Sequence, residues 1–172
     1  VGLYVLMGIG LWGCSKAEPY LPPDPFYYFA SYPVGKNPTT ITTGDLNHDS
    51  FTDLITTNIS SNSVSILFGN GDGTFKDQIQ VHVCQEPRAL ALNDFNEDGQ
   101  ADVVLACSGG DEVELLLGRG NGKFEEGARY PVHRSPVSLA AEDVNGDHHV
   151  DLAVALRNDK VKVFLGNGKG EL

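Results

Sequence analysis

The sequence predicts an all-β fold of β-propeller blades, in which three four-stranded repeats of about 49 residues form a partial propeller. Short apolar runs of strand length alternate with polar turns, and no helical periodicity occurs after the first thirteen residues. The marker residues that recur with a step of 49 residues are Asp45, Asp94 and Asp143, with Pro38, Pro87 and Pro136.

Four strands are predicted in each repeat. The first is a tract of small and apolar residues at 40–42, 90–92 and 139–141, and the second is the run at 54–57, 103–106 and 152–155. The third, at 64–68, 113–117 and 161–165, begins with the alternation of a half-exposed strand. A glycine-rich turn follows it, and a fourth strand then runs from Phe75 or Phe124 towards Val83 or Val132. A β-helix or another β-solenoid is the alternative architecture.

The phase of the repeat predicts an open arc of blades. The repeated part covers residues 26–172, divided as 26–74, 75–123 and 124–172, and it opens at Phe26 with the equivalent of a fourth strand. It stops at Leu172 after three strands of the last blade. Because propellers have about four to eight blades, we expect either further blades in a longer chain or association of several copies.

The N-terminal segment is predicted to be an export signal and a tether. Residues 1–13 carry no charge and resemble a signal-peptide core, although a starting Met and a basic segment are lacking, so we expect a truncated leader. Cys14 follows in a context that resembles a lipobox, which makes it a candidate lipidation site. Residues 14–25 contain four prolines and are expected to form a tether. The alternative is a buried apolar N-terminal segment.

Two further cysteines leave two interpretations open. Cys84 and Cys107 can form a disulfide in an oxidising compartment, or they can be two small buried thiols. Their positions within the repeat differ, so the sequence does not decide between the two states.

An acidic loop in each repeat predicts a metal site. The formal net charge of −11 argues against nucleic acid as a partner and favours cations. Oxygen-bearing side chains recur at loop positions 1, 3, 5 and 9, and a backbone carbonyl at position 7 would add a fifth oxygen towards the six to eight that Ca²⁺ takes. The candidate ligands are Asp45, Asn47, Asp49, Phe51 and Asp53; Asp94, Asn96, Asp98, Gln100 and Asp102; and Asp143, Asn145, Asp147, His149 and Asp151.

Other interpretations of these loops fit less well. Asp and Asn favour turns in any protein, but this does not explain the same four oxygens in three copies. A helix–loop–helix calcium site needs Glu at position 12, where Thr56, Leu105 and Val154 stand instead. Mg²⁺ prefers octahedral geometry with retained water, and no thiolate or imidazole cluster favours Zn²⁺.

The three loops are expected to differ in affinity for Ca²⁺. Position 6 needs a residue that tolerates positive φ, and Ser50, Gly99 and His148 occupy it. The middle loop is therefore predicted to form the best site. Three bound ions would change the net charge from −11 to −5, since each ion adds two charges.

The loops, together with the segment Phe68-Gly69-Asn70-Gly71-Asp72-Gly73-Thr74-Phe75, resemble the FG-GAP and VCBS repeats over residues 26–172. That resemblance implies blades of the kind found in integrin α-type propellers and bacterial surface proteins. It implies structural calcium in the loops and a role in binding or adhesion, with ligands held by variable loops.

Function is predicted from this combination. The leading hypothesis is a calcium-binding, non-catalytic module, lipid-anchored in the cell envelope or secreted, whose ligand is a protein or a carbohydrate. The chain is not expected to be an enzyme, because its histidines lack repeated partners and its close carboxylate pairs are explained by metal ligation. The alternatives are an accessory propeller of a larger extracellular hydrolase or lyase, and a lectin-like ring of self-associating three-bladed chains.

Overall fold

The computed structural model describes residues 30–172, and residues 31–172 form one compact unit. The predicted signal, Cys14, the tether and the first residues of repeat 1 lie outside the described residues. Within residues 30–172, no helix has the length and hydropathy needed to span a bilayer.

Eleven strands form three antiparallel sheets, which we call blades 1, 2 and 3 in chain order. The only helical element among the described residues is a short 3-10 turn at Ile59–Ser61. Blade 1 contains β1 (Pro38–Gly44), β2 (Asp53–Asn58), β3 (Ser63–Leu67) and β4 (Ile79–His82). Blade 2 contains β5 (Pro87–Asn93), β6 (Asp102–Cys107), β7 (Glu112–Gly118) and β8 (Phe124–Pro131), and blade 3 contains β9 (Pro136–Glu142), β10 (Asp151–Leu156) and β11 (Lys160–Phe164).

The strand order confirms the predicted class of fold. Each blade is a meander in which neighbouring strands in sequence are neighbours in the sheet. Blade 3 has three strands in the described part of the chain, as the phase of the repeat predicted. The fourth strand of each complete blade comes from the start of the next repeat, as the phase predicted. In blade 1 the fourth strand begins at Ile79 and not at the predicted Phe75. Phe75 forms only an isolated β-bridge with Gly69.

The core lies between blades rather than inside one sheet. Strand β6 is buried on both faces: Val103 and Leu105 pack against blade 1, whereas Val104 packs against blade 3. All three side chains are fully buried. A sheet that is covered on both faces needs apolar residues at consecutive positions, which is why β6 reads as a continuous apolar run.

Contacts between the first strands hold the blades together on one side. The Thr40 hydroxyl donates a hydrogen bond of 2.8 Å to the carbonyl of Arg88, which joins β1 to β5. The Asn93 side-chain amide donates one of 3.3 Å to the carbonyl of Ala141, which joins β5 to β9. The first strand of each blade is thus the one that meets its counterpart in the next blade.

A disulfide also joins blades 1 and 2, which answers the question that the sequence left open. Cys84 follows β4 and Cys107 ends β6, with their Cα atoms 5.8 Å apart. Both residues are buried within the core between these blades. The two cysteines stand at different positions of the repeat because the bond connects neighbouring blades and not equivalent strands.

Candidate metal loops

Each predicted metal loop connects the first and second strands of a blade. Loop 1 (residues 45–53) joins β1 to β2, loop 2 (94–102) joins β5 to β6, and loop 3 (143–151) joins β9 to β10. An apolar residue at position 2 anchors the first two loops, since Leu46 and Phe95 are only 4% and 3% exposed. The sequence signal for this anchor is the apolar side chain directly after the first Asp of every loop.

The same network of hydrogen bonds shapes the three loops. In loop 2, the Asp94 carboxylate accepts the Gly99 N–H at 2.7 Å, and the Asn96 side-chain oxygen accepts the Asp98 N–H at 3.1 Å. The Asp98 carboxylate accepts the Gln100 N–H at 2.8 Å. Equivalent bonds form in loops 1 and 3. The oxygens at positions 1, 3 and 5 are therefore gathered inside one turn of backbone.

The Asp at position 9 has a structural role that the sequence did not reveal. Asp102 begins β6 and is fully buried, and its carboxylate accepts the Phe95 N–H at 2.9 Å and the Gly118 N–H at 2.7 Å. Asp53 and Asp151 make the same pair of bonds in their blades. This carboxylate thus ties the loop to the glycine turn after the third strand.

Backbone conformation confirms the expectation for position 6 and extends it to position 4. At position 6, Ser50, Gly99 and His148 have φ of 67°, 81° and 73°. At position 4, His48, Glu97 and Gly146 have φ of 58°, 57° and 81°. Non-glycine residues adopt this region at some cost. Loops 2 and 3 each have one glycine at these positions and loop 1 has none, so loop 1 is the most strained.

The three Asp carboxylates of a loop lie near one another, but their oxygens do not converge on one point. Among the described residues, no loop has one oxygen from each of its three Asp side chains within 4.8 Å of the other two. One oxygen in loop 1, Asp45 Oδ1, is buried and has no hydrogen-bond partner. A buried carboxylate oxygen without a partner carries an energetic cost that a bound cation would remove.

The pKa values of these carboxylates depend on the hydrogen bonds and the burial of each group. Backbone N–H donors lower the pKa of the half-buried Asp49 and of the exposed Asp143 and Asp147 from the usual carboxyl value. Burial raises the pKa of Asp102. The backbone N–H groups of Gly118 and Phe95 lower it, and the negative charges of Asp98 and Asp94 raise it further. Loops with depressed carboxyl pKa values stay charged at neutral pH, which suits a cation.

Loops 1 and 2 are each covered in part by the next blade. The glycine turn after β7 approaches loop 1, where a Cβ on Gly120 would lie 3.3 Å from a ring carbon of His48. The turn after β11 approaches loop 2, where the Gly170 N–H donates to the carbonyl of Phe95 at 2.9 Å. Beside it, His149 Nδ1 lies 2.6 Å from the Glu97 carboxylate, which raises the pKa of His149. Within residues 30–172 no such turn lies over loop 3, which is largely exposed.

One other cluster of potential ligands is explained without a metal. Cys84, Cys107 and Glu114 bring their ligand atoms together in a buried place. The two sulfurs are already bonded to each other, and Glu114 Oε2 accepts the Cys84 N–H at 2.7 Å. These groups therefore join blade 1 to blade 2.

Comparison with protein families agrees with the fold and the loops. A family model described as "FG-GAP-like repeat" matches residues 45–105 and again residues 94–154, which together are more than half of the chain. No curated protein matches this chain significantly. Both matched segments begin at the first Asp of a loop and end in the second strand of the following blade. The chain belongs to the FG-GAP-like repeat family.

Proposed function

We propose that this chain is a calcium-binding, non-catalytic module of the cell envelope or the extracellular space, which binds a protein or a carbohydrate. The family supports an extracellular module of the propeller type. The observation that carries calcium binding is the threefold repetition of one oxygen set on one backbone conformation. The unpartnered Asp45 Oδ1 in loop 1 adds an oxygen whose burial a cation would offset.

The residues of the loops fit Ca²⁺ in kind and in number. Each loop would offer the side-chain oxygens of positions 1, 3, 5 and 9 and the backbone carbonyl of position 7, namely that of Phe51, Gln100 or His149. These are hard oxygen donors, and Ca²⁺ takes six to eight of them at about 2.3–2.6 Å, with water completing the shell. Both oxygens of the position 9 carboxylate already accept backbone N–H groups, but each retains a second lone pair.

Binding would require the loop to contract. The carboxylates at position 5 have to move inward, because in no described loop do oxygens from all three Asp side chains lie within 4.8 Å of one another. The attraction of a divalent cation for up to three carboxylates supplies the driving force, and it relieves repulsion in a chain of net charge −11. Calcium would thus stabilise the blades as well as occupy the loops.

The proposed calcium has a structural role rather than a catalytic one. The position 9 carboxylates are buried and committed to the backbone, and the neighbouring loop residues are engaged in local turns. A ligand is recognised instead by side chains on the exposed loops of the blades. An open cleft of about 370 Å³ lies between loops 1 and 2, lined in part by Asp45, His48 and Gln100. Lipidation of Cys14 would attach such a module to the membrane.

Isothermal titration calorimetry with Ca²⁺ tests the proposal. We expect about three ions per chain for the wild type and one fewer for Asp98→Ala, which removes the position 5 ligand of loop 2. Asp77→Ala is the matched control, because Asp77 is an exposed carboxylate outside the loops. At free Ca²⁺ ten times the dissociation constant, each ion stabilises the fold by about 1.4 kcal/mol. A wild type that takes up no calcium and shows no thermal shift would contradict the proposal.

A further inference from the structure

An open cleft lies at the junction between blades 2 and 3. It is formed by the turn between β6 and β7, the connector between β8 and β9, and the turn between β10 and β11. Its volume is about 320 Å³, and it is lined by Asp111, Arg134, Ser135, Arg157 and Asn158. In an antiparallel meander these segments lie at the strand ends opposite to the metal loops, so the cleft is separate from the proposed calcium sites.

The same place between blades 1 and 2 is closed by hydrogen bonds within the protein. The side-chain oxygen of Asn62 accepts the Glu86 N–H at 2.9 Å, and the Gln85 carbonyl accepts the Gly109 N–H at 3.2 Å. The Ser108 hydroxyl donates to the Glu86 carbonyl at 3.1 Å. These five residues stand 49 positions before the five that line the cleft. The first junction thus satisfies its polar groups with one another.

The junction between blades 2 and 3 keeps part of this arrangement and lacks the rest. The Val132 N–H donates to the Asp111 carbonyl at 2.8 Å, and the Arg157 N–H donates to the Ser135 carbonyl at 3.1 Å, as the equivalent groups do in the first junction. Among residues 30–172, however, the three bonds that close the first junction have no counterpart in the second.

A different bend in the connector accounts for this opening. In the first junction the connector (residues 83–86) takes a positive φ of 52° at Glu86. In the second junction (residues 132–135) the positive φ of 61° is at His133, two positions earlier in the repeat. The cleft is therefore produced by the path of the backbone, and it does not depend on the rotamer of one side chain.

Two arginines in the cleft have no partner among the described residues. Neither the Arg134 nor the Arg157 side chain forms an ion pair there, and both residues are exposed. At the first junction, by contrast, Arg88 Nε donates to the Ser108 hydroxyl at 2.8 Å. A guanidinium presents a rigid fork of donors that fits a carboxylate. In a chain of net charge −11, two unpaired guanidinium groups on one cleft therefore favour a ligand with a carboxylate.

The other groups of the cleft favour hydroxyls on the same ligand. Asn158 Oδ1 is buried and has no hydrogen-bond partner in the described part of the chain, so a donor that reaches the amide would satisfy it. The exposed carboxylate of Asp111 would repel a ligand that is anionic throughout, but it can accept a hydroxyl. The volume lies at the lower end of the about 300–1,000 Å³ of small-molecule sites, which suits one sugar residue.

We propose that this cleft binds a uronate, a sugar residue with a carboxylate, as part of an acidic saccharide. Arg134 and Arg157 hold the carboxylate, while Asp111 and Asn158 accept sugar hydroxyls. This assignment rests on the proposed binding function, for which it names the site and the class of ligand. It does not involve the metal loops, so it can be tested on the calcium-free protein.

A titration of the full chain with D-galacturonate, followed by ¹H–¹⁵N NMR, tests the proposal. Calcium is first removed and the chelator dialysed away, because chelators are themselves carboxylates. We expect saturable shifts at the amides of residues 134, 135, 157 and 158. Arg134→Gln and Arg157→Gln should each raise the Kd at least about tenfold, since a hydrogen bond between charged groups is lost. Lys123→Gln is the matched control: it removes one exposed positive charge from the glycine turn before β8 and should change the Kd less than about twofold.

Two simpler probes separate the two halves of the ligand. Galactose lacks the carboxylate and acetate lacks the hydroxyls, so each should bind at least about tenfold more weakly than galacturonate. Absence of shifts at the cleft amides overturns the proposal, and so does a Kd that neither arginine variant changes. Tighter binding of the peptide Gly-Glu-Gly than of galacturonate also overturns it, in favour of an acidic protein partner. A protein that takes up calcium but not galacturonate contradicts this proposal alone, whereas one that takes up neither contradicts the proposed function as well.

Discussion

Replacement of Asp102 by Ala should destabilise the protein even in the absence of calcium. The change removes the acceptor of two buried N–H groups, those of Phe95 and Gly118. Each buried donor left without a partner costs about 1–3 kcal/mol, so the expected loss is about 2–6 kcal/mol. This is a large part of the 5–15 kcal/mol by which folded domains are typically stable.

Urea denaturation in excess chelator, followed by circular dichroism, measures this loss. Asp98→Ala is the matched comparison, because Asp98 is exposed and its carboxylate bonds only within the loop, so its effect should stay near 1 kcal/mol. The reasoning is refuted if the free energy of unfolding of Asp102→Ala lies within about 0.5 kcal/mol of the wild-type value, because neutral surface substitutions have effects of that size. That result would mean that the two N–H groups find other partners.

Three other predictions concern the disulfide, the loops and the titration of the buried carboxylate. Replacing both Cys84 and Cys107 by Ala opens a loop with a sequence separation of 23 residues and should cost about 3 kcal/mol, seen as a lower urea midpoint than that of the wild type under oxidising conditions. Ser50→Gly should stabilise the calcium-free protein by up to about 1 kcal/mol by relieving a positive φ, whereas Ser60→Gly, without positive φ, should destabilise it. Since burial raises the folded-state pKa of Asp102, its contribution to stability is present below the usual carboxyl pKa and is lost as pH rises through the raised value. In chelator, the free energy of unfolding of the wild type minus that of Asp102→Asn should therefore increase as pH falls through that window. A decrease would contradict the assignment.

The spacing of residues was enough to predict the blades. The step from Asp45 to Asp94 fixed the repeat, and apolar runs such as 103–106 fixed the strands, because a blade buried on both faces needs consecutive apolar side chains. The positive φ at Ser50 could also be predicted, since it follows from the position of that residue in the turn.

Features that depend on the packing of one blade on another could not be predicted. The bond between Cys84 and Cys107 joins different positions of the repeat, so no internal comparison identifies it. The role of Asp102 as an acceptor of backbone N–H groups looks the same in sequence as metal ligation, because both need an oxygen at position 9. The contact between Glu97 and His149 exists only because loop 3 lies next to loop 2.

A crystal structure of the protein grown with calcium, with anomalous difference maps recorded at long wavelength, tests the central claim most directly. We predict one anomalous peak in each of the three loops, with oxygen atoms of positions 1, 3, 5 and 9 and the position 7 carbonyl at about 2.3–2.6 Å. Loops without anomalous density, in which the Asp side chains accept only N–H groups of the backbone and of the loop Asn residues, would contradict the account.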